Sequence, residues 1–189
     1  MKNKFYILLV GIFLMMGCEI SKTKPYMHGN YYFKYIDKQS VCFCGFTYNA
    51  LDNLDGDTLY IPSKIYGLNV TKVECLGHNG SSKILFYGYY EAVKKVVIPS
   101  TVEVIGSYAF GGCSSLKKIT LPSSLKEIGY CAFSGCSSLR SVTFKDTSNW
   151  YIQYGKGAWN IIDVSDSTNN ANILKVEFNY DGYRLEKRY

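Results

Sequence analysis

Histidine is almost missing from this chain. His28 and His78 are the two it has in 189 residues, so a hydrolytic triad or a histidine-ligated metal would have to be assembled around one of them. No CxxC pair occurs, and GxxxxGK[ST], GxGxxG, HExxH and GxSxG are all absent. That removes the usual signatures of zinc ribbons, nucleotide-binding enzymes, zinc proteases and serine hydrolases. No apolar run reaches the roughly 20 residues of a membrane-spanning helix. Charge is modest at 19% against 47% apolar residues, which is not a disordered composition. The net charge of +6 includes Lys2 and Lys4 near the amino terminus, so the remainder is too weakly basic to argue for nucleic acid. The acid pair Asp163 and Asp166 lies in a polar stretch, and LDNLDGD (Asp52, Asp55, Asp57) does not fit a calcium loop. The reading is of a non-catalytic protein without cofactor or metal.

What is present begins with an address. Met1–Lys4 carries two positive charges, Phe5–Met16 is nearly all apolar, and Gly17-Cys18 precedes a polar turn at Glu19. A charged start, a short apolar segment and a small residue make a secretory signal. Leu14-Met15-Met16-Gly17-Cys18 resembles a bacterial lipobox. The resemblance implies cleavage after Gly17, a lipid on the Cys18 sulfur and a second acylation at the new amino terminus. Two or more acyl chains make anchoring stable where one is marginal. Residues 1–17 are then the signal peptide and 18–30 the lipidated Cys and its tether. By the same resemblance, Glu19 after the Cys implies an outer-membrane destination.

The strongest signal is internal repetition. Residues 96–118 read VVIPSTVEVIGSYAFGGCSSLKK and residues 119–141 read ITLPSSLKEIGYCAFSGCSSLRS. Pro99/Pro122, Ile105/Ile128, Gly106/Gly129, Ala109/Ala132, Phe110/Phe133, Cys113/Cys136 and Leu116/Leu139 all match at one offset of 23. Ile119-Thr120-Leu121 alternates in–out–in as a short strand does. Pro122 ends the strand, Leu125 and Ile128 point back inward, and Gly129 permits a tight bend. Ala132-Phe133 begins a helical turn that stops near Gly135. One such unit cannot cover its own apolar face, so units stack around a shared core. Val142-Thr143-Phe144 repeats the strand once more. Leu59-Tyr60-Ile61-Pro62 matches Val96-Val97-Ile98-Pro99 at offset 37, which places 14 inserted residues around Tyr66–Val70 and within Glu74–Ser82.

This spelling resembles the BspA-like class of leucine-rich repeats found in bacterial surface proteins. Gly67–Val73 resembles the segment that opens such arrays, and Asp146–Tyr151 one that closes them. The resemblance implies a right-handed solenoid, mostly β with short helical turns, and adhesion or ligand binding as the usual role. The expected organisation is an N-terminal β cap at 31–56, the solenoid at 57–144 and a C-terminal cap at 145–189. Tyr31–Ile36 and Val41–Tyr48 read as strands paired around Asp37-Lys38-Gln39. Leu174, Val176, Phe178 and Tyr180 alternate before Asp181-Gly182, which predicts a hairpin returning through Tyr183–Lys187. Ser165–Asn172 reads as a polar loop.

Candidate contact residues follow from the register. Lys94, Lys117 and Arg140 stack in one column, and Lys95 and Lys118 make a second, partial one. Such columns either keep a face solvated and discourage sheet association or receive an anionic ligand, an acidic glycan or an acidic protein patch. In LFYGYY, Tyr87 aligns with the core residue Phe110, whereas Phe86 and Tyr89 align with the small residues Ala109 and Gly112. These two rings either pack irregularly or form an aromatic contact patch. Cys113 and Cys136 point the same way from adjacent turns, which predicts small buried core residues in place of a disulfide. Cys42 and Cys44 share one strand face. The partner is therefore a protein or an acidic glycan, with the membrane engaged through the anchor. The reading open beside surface adhesion is a periplasmic structural or assembly role, docking another envelope protein.

Overall fold

The computed structural model describes residues 26–28, 31–46, 56–74, 92–175 and 183–189. The signal segment, Cys18, Cys75, His78, Phe86, Tyr89 and the expected strand Val176–Tyr180 lie outside them.

Among the described residues, two sheets wrap one core. The first has four parallel strands in the order β11-β9-β7-β4, at Ser141–Phe144, Lys118–Leu121, Lys95–Val97 and Thr58–Tyr60. Its register is the sequence register: Leu59 lies beside Val96, Val96 beside Ile119 and Ile119 beside Val142. Alternation does the sorting. Leu59, Val96, Ile119 and Val142 are buried, while Lys95, Lys118 and Thr120 face out. The offset of 37 is absorbed in part by a hairpin, β5 (Lys64–Ile65) with β6 (Leu68–Val73). Its loop, Tyr66-Gly67, has φ of 52° and 80°. Both are positive, as a type I′ turn demands.

The second sheet has ten strands. Its solenoid part runs through β6, β8 (Val104–Ile105) and β10 (Glu127–Ile128) in parallel. The N-terminal cap joins β6 through β3 (Ser40–Phe46), which pairs with β2 (Tyr31–Tyr35) around the expected turn. There the Asp37 carboxylate accepts from the Gln39 and Ser40 amides at 2.7 and 2.8 Å. Tyr26–His28, read as tether, is instead a further strand, β1, on β2. Three residues are too few to show a period of two.

Between the sheets each turn passes through consecutive three-residue hydrogen-bonded turns. Ala109, Gly111 and Cys113 donate to the carbonyls three residues before them. Gly112 and Gly135 sit at φ 78° and 73°, where the turns stop. Phe110 and Phe133, both fully buried, stack at 5.2 Å and 17°. Cys113 and Cys136 are buried free thiols in that core, and the Cys136 thiol donates to the Phe110 carbonyl at 3.1 Å.

Gly129 serves a purpose other than a bend. A Cβ there would stand 2.6 Å from the Ser107 nitrogen and 2.9 Å from the Gly106 carbonyl carbon. The glycine lets two successive turns approach backbone to backbone. Gly129→Ala must push them apart and is expected to cost roughly 1–3 kcal/mol, whereas Gly106→Ala, with contacts of 3.2–3.3 Å, should cost less. Urea midpoints of the two variants check the order; equal midpoints contradict it.

The C-terminal end differs most from its expectation. Ser165–Asn172 is not a loop, and Leu174 does not start a strand: Ser167–Lys175 is a helix, α1, with Asn170, Ala171 and Leu174 buried. The Asp166 carboxylate caps it, accepting from the Thr168 and Asn169 amides at 2.8 and 3.0 Å. The buried Asn170 amide donates to the Val142 and Val164 carbonyls at 3.0 and 2.8 Å. The helix thus covers the outer edge of β11, which would otherwise invite another strand. Tyr183–Lys187, β14, lies between β10 and β12 (Trp150–Tyr154), antiparallel to both. A hairpin is present elsewhere, between β12 and β13 (Trp159–Ile161).

Trp150 and Lys187 close this end. Lys187 is buried and pairs with the Asp146 carboxylate. That partner, together with bonds from the Ser148 hydroxyl and amide, holds the Asp146 carboxyl well below the usual carboxylate range. Its contribution to stability is complete above the ordinary value of 3.8 and is lost as pH falls through that value and below. Urea midpoints should therefore drop less steeply below about pH 4 in Asp146→Asn than in the parent chain; parallel curves contradict the assignment.

Candidate functional site

The four-stranded sheet turns its outward side chains toward a groove of about 800 Å³. Lys94, Lys95, Lys117, Lys118 and Lys145 line it together with Val97, Ile98, Thr120 and Pro122. The columns form as the register requires. The Lys117 amide donates to the Lys94 carbonyl at 3.0 Å and the Arg140 amide to the Lys117 carbonyl at 2.9 Å. Lys95 lies beside Lys118 in the parallel ladder, and Ser141 ends that second column. Neighbouring ammonium groups about 5 Å apart repel by about 0.8 kcal/mol in water, a tolerable cost for exposed side chains.

Three details escape the sequence reading. Arg140 stacks in its column but does not line the groove. Lys145 does line it. It occupies, one turn on, the place of Pro99 and Pro122, and its amide donates to the Leu121 carbonyl at 3.0 Å. Following the offset of 23 one residue past the strand would have found it. Asp57 stands at the N-terminal end of the first column, its carbonyl accepting from the Lys94 amide and its carboxylate 3.4 Å from the Lys94 ammonium. That exposed pair contributes little to stability, but it neutralises one end of the groove.

A second cluster is absent from the sequence reading altogether. On the outward face of β12, β13 and β14, the Trp159 ring has Arg188 at 4.1 Å and Arg184 at 4.7 Å. Arg184 also donates to Gln153 at 3.1 Å, and Arg188 lies 6.0 Å from the Tyr151 ring. Ile161, beside Tyr151, is 76% exposed. These contacts depend on β14 pairing with β12, which no local pattern announces.

The remaining candidates are structural. Cys42 and Cys44 share a face, their sulfurs 3.8 Å apart under Tyr32 and Ile36. The bond from Cys44 and burial push the Cys42 thiol far up, so it stays protonated and unreactive at neutral pH. Asp163 accepts from the Ser165 amide at 2.8 Å and Asp166 caps α1, so both carboxylates organise the chain around the helix. Among the described residues, no group of three or more His, Cys, Asp or Glu is placed to hold a metal ion.

Comparison with known proteins agrees with the repeat. The model of the BspA type leucine rich repeat region matches residues 82–179 in 6 copies. A leucine rich repeat protein of T. pallidum is 30% identical with a TM-score of 0.50, over 66% of this chain and 51% of that one. A leucine rich cell surface protein of Faecalibacterium prausnitzii is 29% identical with a TM-score of 0.49, over 66% of this chain and 33% of that one. The chain thus spans about a third to a half of the length of these relatives. No curated protein matches it.

Proposed function

Because the chain belongs to the BspA-type leucine-rich-repeat family, we propose that it is a non-catalytic binding module displayed on the bacterial cell surface, engaging an external ligand through its four-stranded face. The observation that carries this reading is the lysine groove. A face needed only for solubility would not gather five lysines around one concavity, with Asp57 the one carboxylate among the described residues that line it. The Leu14–Cys18 signal supplies the display: signal cleavage after Gly17, lipidation of Cys18, and an outer-membrane anchor that leaves the caps and solenoid outside. Adhesion to host protein or glycan is the role such a module serves.

One observation favours the second reading, a periplasmic assembly protein. The Trp159, Arg184 and Arg188 cluster beside exposed Ile161 has the composition of a protein–protein hot spot. Exposure separates the two. Trypsin added to intact cells should cleave the chain at its lysines, and Cys18→Ala should release it from the membrane fraction. A chain fully shielded in intact cells and cleaved only after the outer membrane is opened would replace display with the periplasmic role.

A further inference from the structure

The groove's side-chain chemistry narrows its ligand. Lys94 with Lys117 and Lys95 with Lys118 form two adjacent pairs, each spanning one rung of about 4.8 Å. Lys145 adds a charge one rung on but past the other end of its strand, in the place of Pro122, and Asp57 ends the first column on the far side. The positive charge therefore runs from the paired lysines at the start of β7 and β9 obliquely across the sheet to Lys145, with Asp57 closing one end. Thr120 lines the groove, and the outward positions continuing its rungs are Ser141 and Thr143. Among the described residues no aromatic side chain lines it; Val97, Ile98 and Pro122 do, and exposed Tyr60 stands beside Val97 on the neighbouring rung.

Each feature argues against a different class of ligand. Cores of protein interfaces are rich in aromatic residues and Arg and poor in Lys. Single-stranded nucleic acids are held by rings on which bases stack, and none of the described residues lining this groove carries one. Ammonium groups on flexible stems are point charges that accept an anion from many directions, and hydroxyls bond to a polymer that keeps its water. The geometry points to a linear sulfated polysaccharide, crossing the sheet obliquely with its anionic groups on Lys94, Lys95, Lys117, Lys118 and Lys145. This rests on the reading that the four-stranded face is the binding face.

The test uses the full chain in detergent micelles and three probes: heparin, the same polymer stripped of sulfate, and double-stranded DNA. Heparin should be retained, with affinity falling on the order of 100-fold between 50 and 200 mM salt, by the counterion release that governs polyanion binding. Combining Lys95→Gln, Lys117→Gln and Lys118→Gln should lower the log–log salt slope by about three and leave the melting temperature unchanged. Lys38→Gln, Lys64→Gln and Lys156→Gln together remove the same charge from exposed sites elsewhere and should leave the slope as it was. Asp57→Asn should tighten heparin binding by opening the closed end. Equal slopes in the two triple variants, equal binding of the desulfated polymer, DNA bound as tightly as heparin, or no heparin retention by folded chain would each overturn the proposal. Trypsin accessibility on intact cells is read separately. A displayed chain that ignores heparin sinks only the polysaccharide, and a shielded chain that binds heparin sinks only the display.

Discussion

Phe133→Ala is expected to lower unfolding free energy by about 3–5 kcal/mol. Its ring is fully buried in the middle of the stack, against Phe110 at 5.2 Å. Truncation removes the transfer contribution of the ring and leaves a cavity, because the turns above and below are fixed by their own ladders. Tyr108, Phe110 and Gly112 donate to the Tyr130, Ala132 and Ser134 carbonyls at 2.7–3.0 Å, so the backbone cannot collapse into the space. A domain of this size should lose on the order of 10 °C in melting temperature. Phe110→Ala should behave alike, and the double variant should cost less than the two single losses together, because the rings touch. An unchanged melting temperature in Phe133→Ala would mean that the 23-residue register is wrong.

Trp150→Ala is expected to cost about as much, 3–5 kcal/mol, but at the end of the stack. The Trp150 ring meets Phe144 edge-on at 5.0 Å, and its indole N–H donates to the Asp146 carbonyl at 2.9 Å. The Lys187 ammonium lies 5.8 Å from the same ring. Removing the indole exposes the last rung and loosens the Asp146–Lys187 pair with it. Because each unit contacts only its neighbours, damage at an end spreads inward one turn at a time. Hydrogen exchange should therefore accelerate first at β11 and β14 and leave β7 and β4 protected. Trp150→Phe keeps most of the apolar area and should lose far less. Uniform acceleration through all rungs would contradict a capping role for this residue.

The solenoid is legible because the core positions of its two full turns are written twice at one offset. Ile105 with Ile128 and Phe110 with Phe133 fix both the period and the inward face, and the lysine columns follow from that register without further information. The C-terminal cap was less legible, for physical reasons. Ser167–Lys175 is rich in Asn, Ser and Thr, which are weak helix formers. It becomes a helix because Asp166 caps it and because Asn170, Ala171 and Leu174 meet the edge of β11. That is tertiary context overriding propensity. Tyr183–Lys187 is a strand, as its alternation predicts, but its neighbours, β10 and β12, are more than 28 residues away in sequence. The Trp159–Arg184–Arg188 cluster exists only through that pairing. Lys145 escapes the repeat for a smaller reason: a lysine stands where earlier turns have proline, and the match ends there.

The most direct measurement of the binding face is lysine acylation footprinting of the full chain with and without heparin, read residue by residue. The account expects Lys94, Lys95, Lys117, Lys118 and Lys145 to be protected together, with Lys38, Lys64 and Lys156 reacting as before. Protection spread evenly over all lysines, or confined to Lys156 and the β12–β13 hairpin, would place the ligand elsewhere and contradict the four-stranded face as the binding surface.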